Sequence, residues 1–146
     1  QLTNSCFDIG GGQPKVYGIA LGRQLLGAFY YEGKNYEFNF SKFWTGCTTK
    51  FDAKQTDDTI CWEVTMTTLN DKLELEIYCD KKDALLINYE APNGVKRFSK
   101  LWNCGCGYGL VRLWTRDMRE EGRWHLIDEM YAENIGCEYG EWDETE

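Results

Sequence analysis

Residues 61–79, Cys61-Trp-Glu-Val-Thr-Met-Thr-Thr-Leu-Asn-Asp-Lys-Leu-Glu-Leu-Glu-Ile-Tyr-Cys79, decide the fold class. Apolar and polar residues alternate on both sides of a short polar break. Ile60, Trp62, Val64 and Met66 fall on one face, and Glu63, Thr65 and Thr67 on the other. After the break Leu73, Leu75, Ile77 and Cys79 share a face opposite Glu74 and Glu76. A period of two belongs to strands, and Asn70-Asp71 suits the turn between them. One wet face implies an antiparallel sheet.

The same reading extends outward. Ala84–Glu90 and Val95–Trp102 flank Pro92-Asn93-Gly94, a second turn. Leu25–Glu32 and Asn35–Phe43 form a hairpin across Gly33-Lys34. Lys15–Leu21 is a short strand, and Leu110–Thr115 is the last one. Residues 45–59 and 104–109 read as connections, the second glycine-rich. About eight strands joined by hairpins predict a mainly β chain, an antiparallel meander forming a disulfide-stapled β-barrel or sandwich. Residues 1–14, with the breaker cluster Gly10-Gly-Gly-Gln-Pro14, are expected to be flexible. Trp124, Ile127, Met130, Tyr131 and Ile135 recur at helical spacing, while Trp124, Leu126 and Met130 also fit the period of a strand; the helical pattern is preferred and predicts a helical extension over 116–137. An acidic tail, 138–146, is expected to fray.

At 146 residues the chain suits a single domain. Its net charge of −8 opposes binding to the phosphates of nucleic acid and to anionic membrane surfaces. No apolar run approaches the roughly 20 residues that span a bilayer. Seven cysteines point to an oxidising compartment. A start at Gln1 with no apolar leader is expected of a mature secreted product. Asn39-Phe-Ser41 is a glycosylation triplet whose asparagine shares a face with Glu37. Cys47, Cys61, Cys79, Cys104, Cys106 and Cys137 are expected in disulfides. The odd thiol is assigned to Cys6, either free or, the preferred reading, in an intermolecular bridge that gives a disulfide-linked homodimer.

No catalytic constellation is read. The single histidine, His125, has no nucleophile motif beside it. Cys104-Gly-Cys106 lacks the second ligand pair of a zinc site and the two-residue spacing of a redox motif. Glu63, Glu74 and Glu76 lie on solvent faces. No metal and no cofactor is expected. The aromatic crowding of Phe29, Tyr30, Tyr31, Phe43 and Trp44 is the candidate binding surface.

Several features together resemble the secreted fungal β-barrels of the Alternaria major-allergen family over residues 5–115. They are Ser5-Cys6 before Val16-Tyr17, Gly22-Arg23, Phe38-Asn39-Phe40, the polar loop between Cys47 and Cys61, Asp80-Lys-Lys-Asp-Ala-Leu-Leu86, and Cys104 and Cys106 leading into Gly107. The resemblance implies a β-barrel with a Cys47–Cys61 bridge and a dimer linked through Cys6. It also implies a non-enzymatic allergen, elicitor or effector that meets a host protein. Cys79, Cys137 and the segment from Arg116 have no counterpart in that family, and Cys104 and Cys106 are too close to bridge each other easily. The alternative is a lipocalin-like carrier of a small apolar ligand, in a barrel lined by aromatics. A small carboxylate-dependent hydrolase stands third.

Overall fold

The computed structural model describes residues 5–12, 15–16, 19–20, 24–39, 42–90 and 98–142. The elements in chain order are β1 (Ser5–Gly12), β2 (Lys15–Val16), β3 (Ile19–Ala20), β4 (Gln24–Tyr31), β5 (Lys34–Asn39), β6 (Thr48–Gln55), β7 (Thr59–Thr67), β8 (Asp71–Asp80), β9 (Ala84–Glu90), β10 (Phe98–Thr115) and β11 (His125–Trp142). Short 3-10 turns occupy Phe43–Thr45 and Lys81–Asp83. Hydrogen bonding joins β1-β4-β5 in one sheet and β11-β10-β8-β7-β6 in another, where β9 pairs with β10; β2 and β3 form a two-stranded ribbon.

The chain is mainly β and its sheets are antiparallel, but they do not close into a barrel. No helix among the described residues is long and apolar enough to cross a membrane. The expected turn at Pro92-Asn93-Gly94 lies outside the described residues.

Packing divides the chain into two compact units. The first comprises Gln1–Asp52, Glu63–Leu75 and Val111–Met130. Its core holds Phe29, Tyr36, Phe38, Val64, Met66, Leu73, Leu75, Val111 and Leu113. The second comprises Ala53–Trp62, Glu76–Leu110 and Tyr131–Glu146. Its core holds Ile60, Trp62, Ile77, Cys79, Cys104 and Cys137. Each fully buried large side chain contributes about 1.5–3 kcal/mol by leaving water.

The alternation read in β7 and β8 is the burial observed. All four even-numbered positions of β7 from Ile60 to Met66 are buried, as are the odd positions of β8 from Leu73 to Cys79. Thr68 closes the turn between them. Its hydroxyl accepts from the Asp71 amide at 3.1 Å and its own amide donates to the Asp71 carbonyl at 2.8 Å. The β4–β5 turn is Glu32-Gly33, with φ of 45° and 84°. Two successive positive φ values match the right-handed twist of a hairpin, and glycine takes the second without a Cβ penalty.

Three expectations are corrected. First, residues 5–12 are strand β1, which pairs with β4 from Ser5↔Tyr31 to Gly12↔Gln24. Glycines carry no strand preference of their own, so this strand is specified by its partner. Second, residues 48–55 are strand β6, at the end of its sheet. Only Thr49, Phe51 and Ala53 are even half-buried there, so the apolar alternation is faint. Third, the expected helix over 116–137 is absent. Residues 118–122 turn, and β11 follows.

The helical spacing in β11 has a specific origin. Asn134 sits at φ 56°, a left-handed backbone typical of a bulge. The half-buried side is even-numbered before it (Asp128, Met130, Ala132) and odd-numbered after it (Ile135, Cys137, Tyr139). A strand that changes phase once shows no continuous period of two. β10 does the same: Cys104 and then Gly107, Gly109, Val111 and Leu113 are buried, and Gly105 and Cys106 between them are both exposed.

Candidate binding surface

The aromatic hairpin was expected to present one surface, and alternation divides it instead. In β4 and β5, Phe29, Tyr36 and Phe38 are buried in the first unit. The rings of Phe29 and Tyr36 lie 6.3 Å apart across the two strands. Tyr31 stacks on Phe29 at 5.9 Å, and its hydroxyl donates to Asp128 Oδ2 at 2.6 Å. That bond to a carboxylate, aided by burial and by the charge of Asp128, pushes the Tyr31 phenol up to about 12. Tyr30, between them in sequence, points the other way and is 42% exposed. Of the five expected residues, therefore, Phe29 is core and Tyr31 is held by Asp128, whereas Tyr30 and Trp44 are presented to solvent. Nothing is described of the Phe43 side chain.

Trp44 is the most exposed tryptophan among the described residues, at 66%. It is carried by the Phe43–Thr45 turn, which is fastened on both sides. The Thr45 amide and hydroxyl donate to the Lys42 carbonyl at 3.0 and 2.7 Å, and the Leu69 amide donates to the Thr45 carbonyl at 3.1 Å. Lys42 Nζ in turn meets Glu37 at 2.7 Å, which holds the Glu37 carboxyl below its ordinary range. Gly46, at φ 65°, follows the turn in a backbone that favours glycine. Asn39 is half-buried on the face of Glu37, and its amide donates to Glu37 Oε1 at 3.5 Å.

The cysteines behave differently from the expectation. Among the described residues no two cysteines stand at disulfide-bonding distance, so neither the Cys47–Cys61 bridge nor any other staple is formed. Cys47 lies between the Phe43–Thr45 turn and β6, in the first unit. Cys61 is on the outer side of β7, beside Tyr78, in the second. Alternation sends Cys61 away from the core and Cys79 into it. Within the second unit Cys79, Cys104 and Cys137 gather in the core, at 1%, 2% and 8% exposure. Cys79 and Cys104 share a hydrogen bond. Burial, with Cys104 next, pushes the Cys79 thiol up to about 12, and burial raises Cys137 to about 11. Cys6 and Cys106 are exposed.

Thiol chemistry follows from this placement. In the reduced protein Cys6 and Cys106 are expected to react first with an aromatic disulfide reagent at mildly alkaline pH. Cys79, Cys104 and Cys137 should react only when denaturant opens the core, because the thiolate is the nucleophile and burial disfavours it. Raised folded values mean that the neutral thiols stabilise the fold below their unfolded value near 9, and that this contribution is lost as pH climbs towards about 12. Equal modification rates for Cys79 and Cys106, followed by peptide mapping, would contradict the burial described.

His125 is exposed and lines a cleft of about 480 Å³ with Asn70, Arg116, Asp117 and Arg119 in the first unit. The cations of this cleft are engaged by neighbours. Arg116 Nε donates to the Leu69 carbonyl at 2.7 Å, and Arg119 forks onto Asp117 at 2.9–3.1 Å. Trp124 lies beneath Arg116 and Lys72, at 4.2 and 4.9 Å, and Lys72 also sits 4.7 Å from the Trp114 ring. These four residues come from three separate stretches of chain, so no local pattern announces them. The carboxylates Glu63, Glu74 and Glu76 belong to strand surfaces. Glu76 accepts from the Tyr78 hydroxyl, which drives that phenol upward. Among the described residues no group of three His, Cys, Asp or Glu side chains is arranged to hold a metal ion.

Comparison of the chain with protein-family models, with curated proteins and with solved structures finds no match.

Proposed function

We propose that this is a secreted, non-enzymatic protein that binds a host protein, in the manner of a fungal effector or elicitor. The observation that carries the reading is Trp44, a largely exposed indole on a turn whose backbone is fastened on both sides. Tryptophan and tyrosine dominate the energetics of protein interfaces because they offer much apolar area at little entropic cost. A rigid mount lowers that cost further. Tyr30 is the second contact. Asn39, on the face of Glu37, is the glycan acceptor, and the exposed Cys6 is the thiol that links two chains. On an oxidising export route the bridge to form within the second unit is Cys79–Cys104, the buried pair in which Cys104 acts directly on Cys79.

The carrier reading called for a closed barrel, and the open sheets support the binding reading instead.

The test is infiltration of the purified protein into leaf tissue, with ion leakage as the readout. Trp44→Ala should shift the dose needed for a response by at least about tenfold, corresponding to about 1.4 kcal/mol of binding, and Tyr30→Ala by less. Both side chains are exposed, so circular dichroism should be unchanged. A Trp44→Ala dose curve that overlays the wild type removes the basis of the proposal, as does wild-type protein that elicits nothing.

A further inference from the structure

We infer that β9 is an interface strand, on which a second copy of this chain adds antiparallel to extend the β9–β10 ribbon across a two-fold axis. The inference is independent of the binding role assigned to Trp44.

The first observation is the edge itself. β9 pairs with β10 alone among the described residues, from Ala84↔Cys104 to Glu90↔Phe98. Its other side offers a row of backbone donors and acceptors, which is a template for another strand. The second is the side chains. Leu85, Leu86 and Ile87 are 71%, 42% and 41% exposed. Successive strand residues point to opposite faces, so the ribbon is uncovered on both. Three consecutive exposed aliphatic residues in a strand are an aggregation hazard unless something covers them.

The third is charge. Three of the other outer strands carry ionic groups along their length: Lys50, Asp52 and Lys54 in β6, Lys34 and Glu37 in β5, and Asp128, Glu129, Glu133 and Glu138 in β11, while β1 has Asp8 alone. Charges on an edge deter pairing, and two copies of β11 would set carboxylates against carboxylates. β9 has no charged residue from Ala84 to Tyr89. Before it, Lys81, Lys82 and Asp83 sum to +1, and Glu90 closes it at −1. Antiparallel pairing brings the positive end of each copy to the negative end of the other. A parallel copy would oppose like ends. This is the argument for a second copy as the occupant, in a chain whose net charge of −8 makes most self-contacts repulsive.

The register is also defined. With Ile87 on the axis, Ile87 faces Ile87 of the second copy, and the existing Ile87↔Leu101 pair continues on each side. The result is an apolar row four strands wide, Leu101–Ile87–Ile87–Leu101, in which Ile87 is exposed and Leu101 half-buried in one copy.

The experiment is sedimentation velocity on the full chain up to about 100 μM, in reductant, a range that detects micromolar association. The proteins are wild type, Ile87→Lys, Leu85→Lys and Cys6→Ser. Wild type and Cys6→Ser should both form a dimer in reductant. Ile87→Lys should weaken it at least about thirtyfold, since like charges then face each other on the axis, and Leu85→Lys should weaken it as well, since it sets a charge opposite residue 89 of the second copy in an otherwise uncharged stretch of β9. The replaced side chains are exposed, so thermal melts of the monomers should match; two variants guard against one that misfolds. A wild-type monomer throughout the range overturns the inference, and so does a dimer that survives both lysine variants. A dimer that disappears on reduction or in Cys6→Ser assigns association to Cys6 and overturns it too. Loss of the leaf response in Trp44→Ala bears on none of these outcomes.

Discussion

Gly109→Ala should unfold the second unit or lower its stability by about 3–5 kcal/mol, the largest effect expected of an added methyl among the described glycines. A Cβ on Gly109 would stand 1.9 Å from the Glu76 carbonyl oxygen, 2.9 Å from its carbon and 3.0 Å from Ile77 Cα. All three atoms are backbone, so no rotamer change relieves the clash, and β8 must move away from β10. That movement costs hydrogen bonds worth about 1 kcal/mol each and loosens the buried residues on either side. The control lies four residues earlier in the same strand. A Cβ at Gly105 meets nothing within 4 Å. Gly105→Ala should therefore be neutral, or stabilising by a few tenths of a kcal/mol through its effect on the unfolded chain. Urea unfolding followed by fluorescence compares the two. Equal midpoints would mean that β8 and β10 do not approach as described.

Phe38→Ala is the second large effect, with an expected loss of about 3–5 kcal/mol in the first unit. Phe38 is fully buried and stands opposite Gly27 in the β4–β5 register. Gly27 is itself filled over by Met66, whose Cε would be 2.7 Å from an added Cβ. Met66 and Ile9 fill the place where Gly27 has no side chain, across the strand pair from the buried Phe38 ring. Removing the ring opens a cavity that Gly27 cannot help to fill, so the upper half of the range is expected. Tyr30→Ala, on the outer side of the same hairpin, should cost less than about 1 kcal/mol. Since domains typically have only about 5–15 kcal/mol in hand, the Phe38 change alone is sufficient to shift the melting temperature by many degrees. A small shift would place Phe38 outside the core.

These effects show where function and stability separate on the hairpin. Residues 29–31 are three aromatics in a row with three different fates. Phe29 packs, Tyr30 faces water, and Tyr31 reaches Asp128. Composition suggested a patch because consecutive aromatics look alike in a list. The two-residue period of the strand separates them, and a partner 97 positions away takes one. Trp44 was legible as a candidate, but part of the fastening that makes it useful comes from Leu69, which no local motif connects to it. The Trp124 stack with Lys72 and Arg116 was not legible at all, for the same reason.

The thiols teach a related lesson. Cysteine number suggested staples, and spacing could not say which thiols meet. Cys79 lies inward by the alternation of β8, as read. Cys104 and Cys137 join it only because β10 and β11 each change phase once, a backbone event without a residue signature beyond glycine and asparagine.

Local alternation and turn chemistry were thus sufficient to determine from the sequence that β7, β8, the β4–β5 hairpin and β9 are strands, and which side chains of β7 and β8 are buried. In β7 and β8 each residue's own burial preference agrees with the pleat. Tertiary structure alone decided that glycine-rich β1 and polar β6 are strands, that 125–142 is a bulged strand and not a helix, that the sheets remain open, and that β9 is left with an uncovered edge. Backbone pairing supplies the stabilisation in those places, and a hydrogen-bonded neighbour can impose extended structure on a sequence that carries little preference for it.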